Sequence, residues 1–339
     1  MGIPIRLKRA NFLLLAALVV ALAGSLPGWG QSQAPAKAEE PTETFRVSVD
    51  VVNVFFNVKD KRGGLVPSLT QADFEIYEDS KPQTIKYFSS ESNQPLTLGL
   101  LLDTSGSVQR TLGAEKEVGM AFLNEVLGPK DLAFLISFDV GVDLLQDFTN
   151  SRDRLRKAFQ RARINTGGGT GTIIPGGGGN PVPTAGPRGG TKLFDALYLG
   201  AHEKLASEVG RKAMILITDG HDDGSYYTLR QAVEAAQRAD TVCYVLLLVD
   251  VGFYGSVLYV GRGDMEKLTE QTGGRVIDVD RLEKLKPAFD QIALELRSQY
   301  NLGYTPTNNS QDGTFRKIEI KSVQKHKVQA RRGYYATKR

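Results

Sequence analysis

Hydrophobic positions follow two patterns along this chain, and the change comes near residue 92. From Phe45 to Ser90 apolar and polar residues alternate. Val47, Val49 and Val51 hold one phase, then Val54, Phe56 and Val58 hold the other. A period of two that slips once predicts a long strand with a bulge, or two short strands. "ADFEIYED" and "SKPQTIKYFSS" resume the alternation after turn residues. Residues 45–92 therefore predict an antiparallel unit of three or four strands.

Beyond Pro95 the apolar runs become continuous: "LTLGLLLD" ending at Asp103, "LAFLISFD" (132–139), "AMILITD" (213–219) and "VCYVLLLVD" (242–250). Such runs mark strands buried on both faces, as in a parallel sheet. Helix-period segments lie between them. In 109–127, Leu112, Val118, Phe122 and Val126 share a stripe, and Gly128-Pro129 supplies the stop. Residues 151–162, 192–207, 228–239 and 264–272 also predict helices, and 282–299 a last one, kinked or restarted at Pro287. This order predicts an α/β domain over 95–297 with a doubly wound, mostly parallel sheet.

After Ser298 the short alternating runs return, in "QYNLGYTPT", "TFRKIEIKSV" and "KVQARRGYYAT", with "QDGT" as a turn signal. Neither 45–92 nor 298–339 has much core alone. The economical expectation is that they pair, forming a smaller antiparallel β domain into which the α/β domain is inserted. Separate β appendages are the alternative.

The two ends of the hydropathy range carry their own signals. Residues 1–30 read as an export signal: Arg6, Lys8 and Arg9, then the apolar "FLLLAALVVALA", then "GSLPGWG" with Gly28 and Gly30 suited to a cleavage site. The apolar run is short for a bilayer span, so no integral membrane span is expected once the signal is cleaved; an uncleaved anchor is the rival reading. Residues 31–44 read as a flexible linker. Residues 166–190 are a glycine-rich insertion. It is not a phosphate loop, because no Gly-Lys-Ser/Thr ends it.

Composition narrows the choices. The 339 residues are 41% hydrophobic and 24% charged, an ordinary globular balance. The net charge is +4, and the three basic residues of the export signal carry most of it, which argues against a nucleic-acid partner. Cys243 is the single cysteine. It forms no internal disulfide and reads as a small buried apolar residue.

Chemistry concentrates where the apolar runs stop. Two of them end in an acid followed by small polar residues: Asp103-Thr104-Ser105-Gly106-Ser107, and Thr218-Asp219-Gly220. Parallel strands bring both acids to one sheet edge, where crevices form. Two neighbouring carboxylates repel unless a cation sits between them. Aspartate and serine oxygens are hard donors, suited to Mg²⁺, Mn²⁺ or Ca²⁺ rather than zinc. Taken singly, Ser105 could instead be a helix N-cap. Asp222 and Asp223 read as a solvated turn, with contact to a second ion as the alternative. His202 and His221 read as solvent-facing.

Asp103, Ser105 and Ser107 resemble the D-x-S-x-S loop of von Willebrand factor A-type domains. "GGTKLFDAL" is similar to the second loop of their metal-ion-dependent adhesion site, with Thr191 as its threonine, and "LITDGHDDG" to the third, with Asp219 as its aspartate. The flanks also resemble those of exported bacterial proteins related to that domain and frequent in acidobacteria. The resemblance implies that Ser105 and Ser107 ligate a divalent cation directly. It implies that Thr191 does so directly or through water, and that Asp103 and Asp219 act mainly through water. It also implies an open metal position for an acidic side chain of a protein partner. The insertion before Thr191 departs from the common pattern.

The expected function is an exported binding or adhesion-type module, in the periplasm, envelope or outside the cell, holding Mg²⁺, with Mn²⁺ or Ca²⁺ as alternatives. No catalysis is expected. A structural envelope protein with a fold-stabilising metal is the second reading. A magnesium-dependent hydrolase is the third: haloacid-dehalogenase-type phosphatases also end a strand in aspartate, but their second acid would fall at Ser105.

Overall fold

The computed structural model describes residues 51–90, 94–164, 190–249 and 261–338. The expected export signal, the linker and nearly all of the glycine-rich insertion lie outside these residues.

The chain begins with β1 (Val52–Lys59), β2 (Phe74–Glu78), β3 (Lys81–Gln83) and β4 (Ile85–Ser89). The α/β segment follows: β5 (Leu96–Asp103), α1 (Leu112–Val126), β6 (Leu132–Phe138), β7 (Val142–Thr149), α2 (Arg152–Arg161), α3 (Leu193–Leu199), β8 (Arg211–Thr218), α4 (Leu229–Arg238), β9 (Thr241–Leu248), α5 (Arg262–Thr272), β10 (Val276–Val279) and α6 (Leu285–Arg297). Four strands close the chain: β11 (Tyr300–Tyr304), β12 (Phe315–Ser322), β13 (Lys327–Ala330) and β14 (Gly333–Tyr335).

Six strands of the middle segment form one sheet in the order β10-β9-β8-β5-β6-β7. All neighbours are parallel except β6 and β7. β5 is buried along its whole length, as its unbroken apolar run requires. Alternate residues of β5 serve two cores. Leu98, Leu100 and Leu102 pack with Leu123 of α1, Phe159 of α2 and Phe289 of α6. Leu101 packs with Leu197 of α3, Ala236 of α4 and Met265 of α5. Helices thus cover both faces, which is why the strands read as continuous rather than alternating.

Strand order reverses at β5. Its helical crossover to β6 runs one way, and the chain then returns to place β8 on its other side. Such a switch point leaves a crevice beyond the carboxyl ends of the two central strands. Those ends are Asp103 and Thr218.

The flanking strands pair across the long sequence gap. β1 lies antiparallel to β11 and β13, and β11 to β4, giving the order β13-β1-β11-β4. A second sheet has the order β14-β12-β2-β3. Val54, Phe56, Phe74, Ile76, Tyr300, Leu302, Ile318 and Ile320 form one core from both sheets. Phe56 and Phe74 meet edge to face at 5.1 Å, and Phe56 stacks on Tyr300 at 5.5 Å. β1 is one strand over its described residues. Val54, Phe56 and Val58 are its buried phase, as the alternation predicts.

The helix expected over 282–299, kinked or restarted at Pro287, is a 3-10 turn (Leu282–Lys284) followed by α6, and Pro287 does not break α6. Proline stands at the third residue of that helix, where its missing N–H would have had no intrahelical acceptor.

Candidate metal centre

The first loop is organised by Asp103. Its side chain has no solvent exposure. Oδ1 accepts the Ser105 backbone N–H at 2.9 Å, and Oδ2 accepts the Thr218 hydroxyl at 2.7 Å. The second bond joins the ends of β5 and β8 across the switch point. Thr218 Oγ1 in turn accepts the Gly220 N–H at 3.0 Å, so one hydroxyl orients both the first loop and the start of the third.

Ser105 and Ser107 flank Gly106 in a short 3-10 turn (Gly106–Val108). Ser105 makes no capping bond to that turn; its Oγ lies 2.8 Å from Ser107 Oγ instead. Two hydroxyls are therefore turned toward one another beside a buried carboxylate.

Burial first, and then the negative charge of Asp219, push the Asp103 carboxyl up to about 7. Hydrogen bonds from Ser105 and Thr218 oppose the rise without cancelling it. Asp219 is thus close enough to repel Asp103. Its Oδ1 accepts the His221 N–H at 3.0 Å, which fixes the carboxylate at the loop's start.

Thr191 is buried and held through its backbone. It exchanges N–H···O bonds with Asp223 at 3.0 and 2.9 Å. Gly190 permits this approach: its φ is +135°, and a Cβ there would stand 2.4 Å from the Asp223 carbonyl oxygen. Asp139, just past β6, ties the first and second loops together. Its Oδ2 accepts the Thr104 hydroxyl at 2.9 Å and its carbonyl accepts the Lys192 N–H at 2.7 Å.

The five expected site residues therefore fall on three loops at one edge of the sheet. Asp103, Ser105 and Ser107 are joined by direct contacts. Asp219 meets them through Thr218 and through charge. Thr191 is joined to the Asp219 loop by main-chain pairing. A divalent cation suits this chemistry: the donors are hard oxygens, and a positive charge would relieve the repulsion between Asp103 and Asp219. Among the described residues no group of three or more His, Cys, Asp or Glu side chains could hold a metal, so an ion here would rest on hydroxyls as much as on carboxylates.

Asp222 was expected in a solvated turn, but it is half-buried and its Oδ1 accepts the Phe194 N–H at 3.0 Å. Thr218, Asp139 and Asp222 all organise the loops without belonging to the five. Each lies at or just after a strand end, which is the one signal that could have found them. His221 is exposed; His202 is exposed as well, stacked on Tyr198 at 5.1 Å and bonded to Glu203.

No protein-family model matches the chain, and no curated protein matches it. Several solved structures share its general course. Proximal thread matrix protein 1 from the mussel byssus is 12% identical with a TM-score of 0.48, covering 65% of this chain and 51% of its own. This chain thus spans about half the length of that protein, one structure of which has a zinc-occupied MIDAS motif. A von Willebrand factor type A protein from Catenulispora acidiphila is 11% identical with a TM-score of 0.46, over 85% of this chain and 74% of that one. BatB from Bacteroides thetaiotaomicron is 16% identical with a TM-score of 0.44, over 60% and 100%. Identities this low transfer no residue's role.

Proposed function

We propose that this chain is an exported binding module. In this reading it holds a divalent cation, Mg²⁺ before Mn²⁺ or Ca²⁺, and presents it to a carboxylate on a protein partner. The observation that carries the reading is the convergence of Asp103, the paired Ser105 and Ser107 hydroxyls, and the Thr218–Asp219 strand end at the switch point. The motif resemblance supports it and adds Thr191.

The physical logic is a matter of charge. Ser105, Ser107 and Thr191 would ligate as neutral hydroxyls, with Asp103 and Asp219 acting mainly through water. A cation held mostly by neutral oxygens keeps much of its charge and gains from an incoming carboxylate. Asp103 and Asp219 balance part of that charge from behind. No residue of the set is assigned a nucleophile's or general base's role, so the reading contains no reaction. The export signal supports a partner outside the cytoplasm. Among the described residues no helix is long and apolar enough to cross a membrane.

Thermal melting tests the metal. The expected result is a higher Tm in millimolar Mg²⁺ or Mn²⁺ than in EDTA, with the rise absent in Asp103→Ala. An unchanged Tm for the wild type would sink the metal claim. The pH dependence has a definite sign. Asp103 is raised from an ordinary 3.8 to about 7, so the metal-free fold loses stability as pH climbs between those values. A cation also meets a competing proton below about 7. The metal-induced rise should be larger at pH 8 than at pH 6.

Binding is tested separately, with acidic peptides on a solid support. Capture that requires metal and is released by EDTA supports the partner claim. A metal effect on melting without any such capture favours the fold-stabilising reading instead.

A further inference from the structure

Asp222 lies three residues beyond Asp219, and its side chain reaches out of its own loop. Oδ1 accepts the Phe194 N–H at 3.0 Å and the Ser225 hydroxyl at 2.6 Å. The contact is reciprocated. Asp195 is almost fully buried; its Oδ1 accepts the Tyr227 N–H at 2.9 Å, and its own N–H donates to Ser225 Oγ at 3.2 Å. Beside this exchange runs the Thr191–Asp223 main-chain pair. Phe194 belongs to the first turn of α3, whose own preceding residue, Lys192, provides no side-chain cap. The start of α3 is thus capped from another loop.

We propose that Asp222 is a positioning residue for the candidate metal centre: by capping Phe194 it holds Thr191 against the loop that carries Asp219. The proposal rests on the metal-binding reading and extends it to residues that the motif does not contain. Thr191 stands two residues from Leu193, the first of α3, and immediately after the long insertion. Among the described residues, the Asp223 pair, the Lys192–Asp139 bond and the Asp222 cap hold this stretch. Of these the Asp222 cap alone depends on a side chain of the third loop. Outer partners of this kind orient a ligand without touching the ion.

The role calls for a hydrogen-bond acceptor at Oδ1 and not for a charge. Asparagine supplies the acceptor and alanine does not. That contrast separates positioning from ligation, since a ligand or a charge contributor would suffer from both changes.

The experiment uses the full chain with Mn²⁺ alone as probe. Mn²⁺ affinity is measured by calorimetry for wild type, Asp222→Ala and Asp222→Asn, and amide hydrogen exchange is followed in EDTA for the same three. Asp222→Ala should weaken Mn²⁺ binding by roughly 10–100-fold, and Asp222→Asn should bind like wild type. In EDTA, Asp222→Ala should speed exchange at residues 191–194 and 223–225, and Asp222→Asn should not. Wild-type affinity in Asp222→Ala overturns the proposal, as does an equal loss in both variants. Unchanged exchange in Asp222→Ala overturns it even where no variant binds metal. A wild type that binds no Mn²⁺ sinks the metal reading, and the exchange data then decide the clamp on their own.

Discussion

Glu115 occupies the first turn of α1 with no exposed surface, and neither of its carboxylate oxygens has a hydrogen-bond partner. The neighbouring Thr111 hydroxyl donates to the Val108 carbonyl at 2.9 Å. Burial pushes the Glu115 carboxyl from 4.5 up to about 8; Thr111 tempers the rise and the charge of Asp103 adds to it. An acid held this high is neutral at pH 7, because ionising it inside the core costs more than keeping its proton. The sign for stability follows. The cost of ionisation is absent below its unfolded value and grows until pH passes about 8. The full effect is on the order of 5 kcal/mol. Glu115→Met should therefore be more stable than wild type, by little at pH 5 and by most at pH 9, in urea denaturation at the two pH values. A difference that did not change with pH would show that the fold does not hold this proton. Residue 115 stands at helical spacing from Leu112 and Phe122 and is buried with them; it was not singled out from the sequence.

At the scale of elements, the sheet was the most legible feature and its edge the least. β5, β6, β8 and β9 follow the continuous apolar runs nearly residue for residue. β7 was not foreseen. Its "VDLLQDFT" is half-buried at all positions but Asp147, which is exposed, and Thr149, which is buried, so it shows neither a continuous run nor a clean alternation. The tight turn before it, where the Asp139 N–H donates to the Gly141 carbonyl at 2.9 Å, returns the chain antiparallel to β6 and closes that edge. A further packing detail depends on two elements meeting. Gly99 in β5 leaves room for the ring of Phe134 in β6; a Cβ at Gly99 would stand 2.3 Å from that ring. Gly99→Val should cost roughly 1–3 kcal/mol by overpacking, and adding Phe134→Leu should recover part of the loss. Equal losses in the single and double variants would show that the ring is not what fills the space. The α-helix that follows Thr191 holds a comparable surprise, passing into a π-helical stretch at Gly200–Leu205 that its helical pattern did not disclose.

At the scale of the whole molecule, the two kinds of sheet are joined by a buried charge. Glu295 of α6 is almost fully buried. Its Oε1 accepts Lys59 Nζ at 2.9 Å and Arg275 Nε at 2.7 Å, and Lys59 also donates to Gln329 at 2.9 Å. One carboxylate thereby ties the end of β1, the turn before β10 and β13 to α6. Burial lowers the Lys59 amine, and Glu295 works against that drop. Removing the carboxylate leaves two cations facing a closed space. Glu295→Ala should cost roughly 3–5 kcal/mol. Denaturation followed by Trp-independent far-UV signal should show the two sheet regions losing structure in one transition. Two separate transitions in the wild type would mean that the ion pairs do not couple them.

What the sequence by itself determined was local and periodic. Continuous runs marked strands covered on both faces, alternation marked strands with one buried face, and the strand-end acids with their serines marked the place where chemistry gathers. These are properties of neighbouring residues, and backbone geometry converts them directly into faces and edges. Only the tertiary structure decided which distant groups meet. It set Thr218 against Asp103, Asp222 over the start of α3, Glu115 behind the first loop and Glu295 between Lys59 and Arg275. Each of these contacts joins residues from different elements, except that of Glu115, whose burial depends on what packs over its helix. Their energies come from desolvation and pairing across space, and neither periodicity nor spacing along one strand records them.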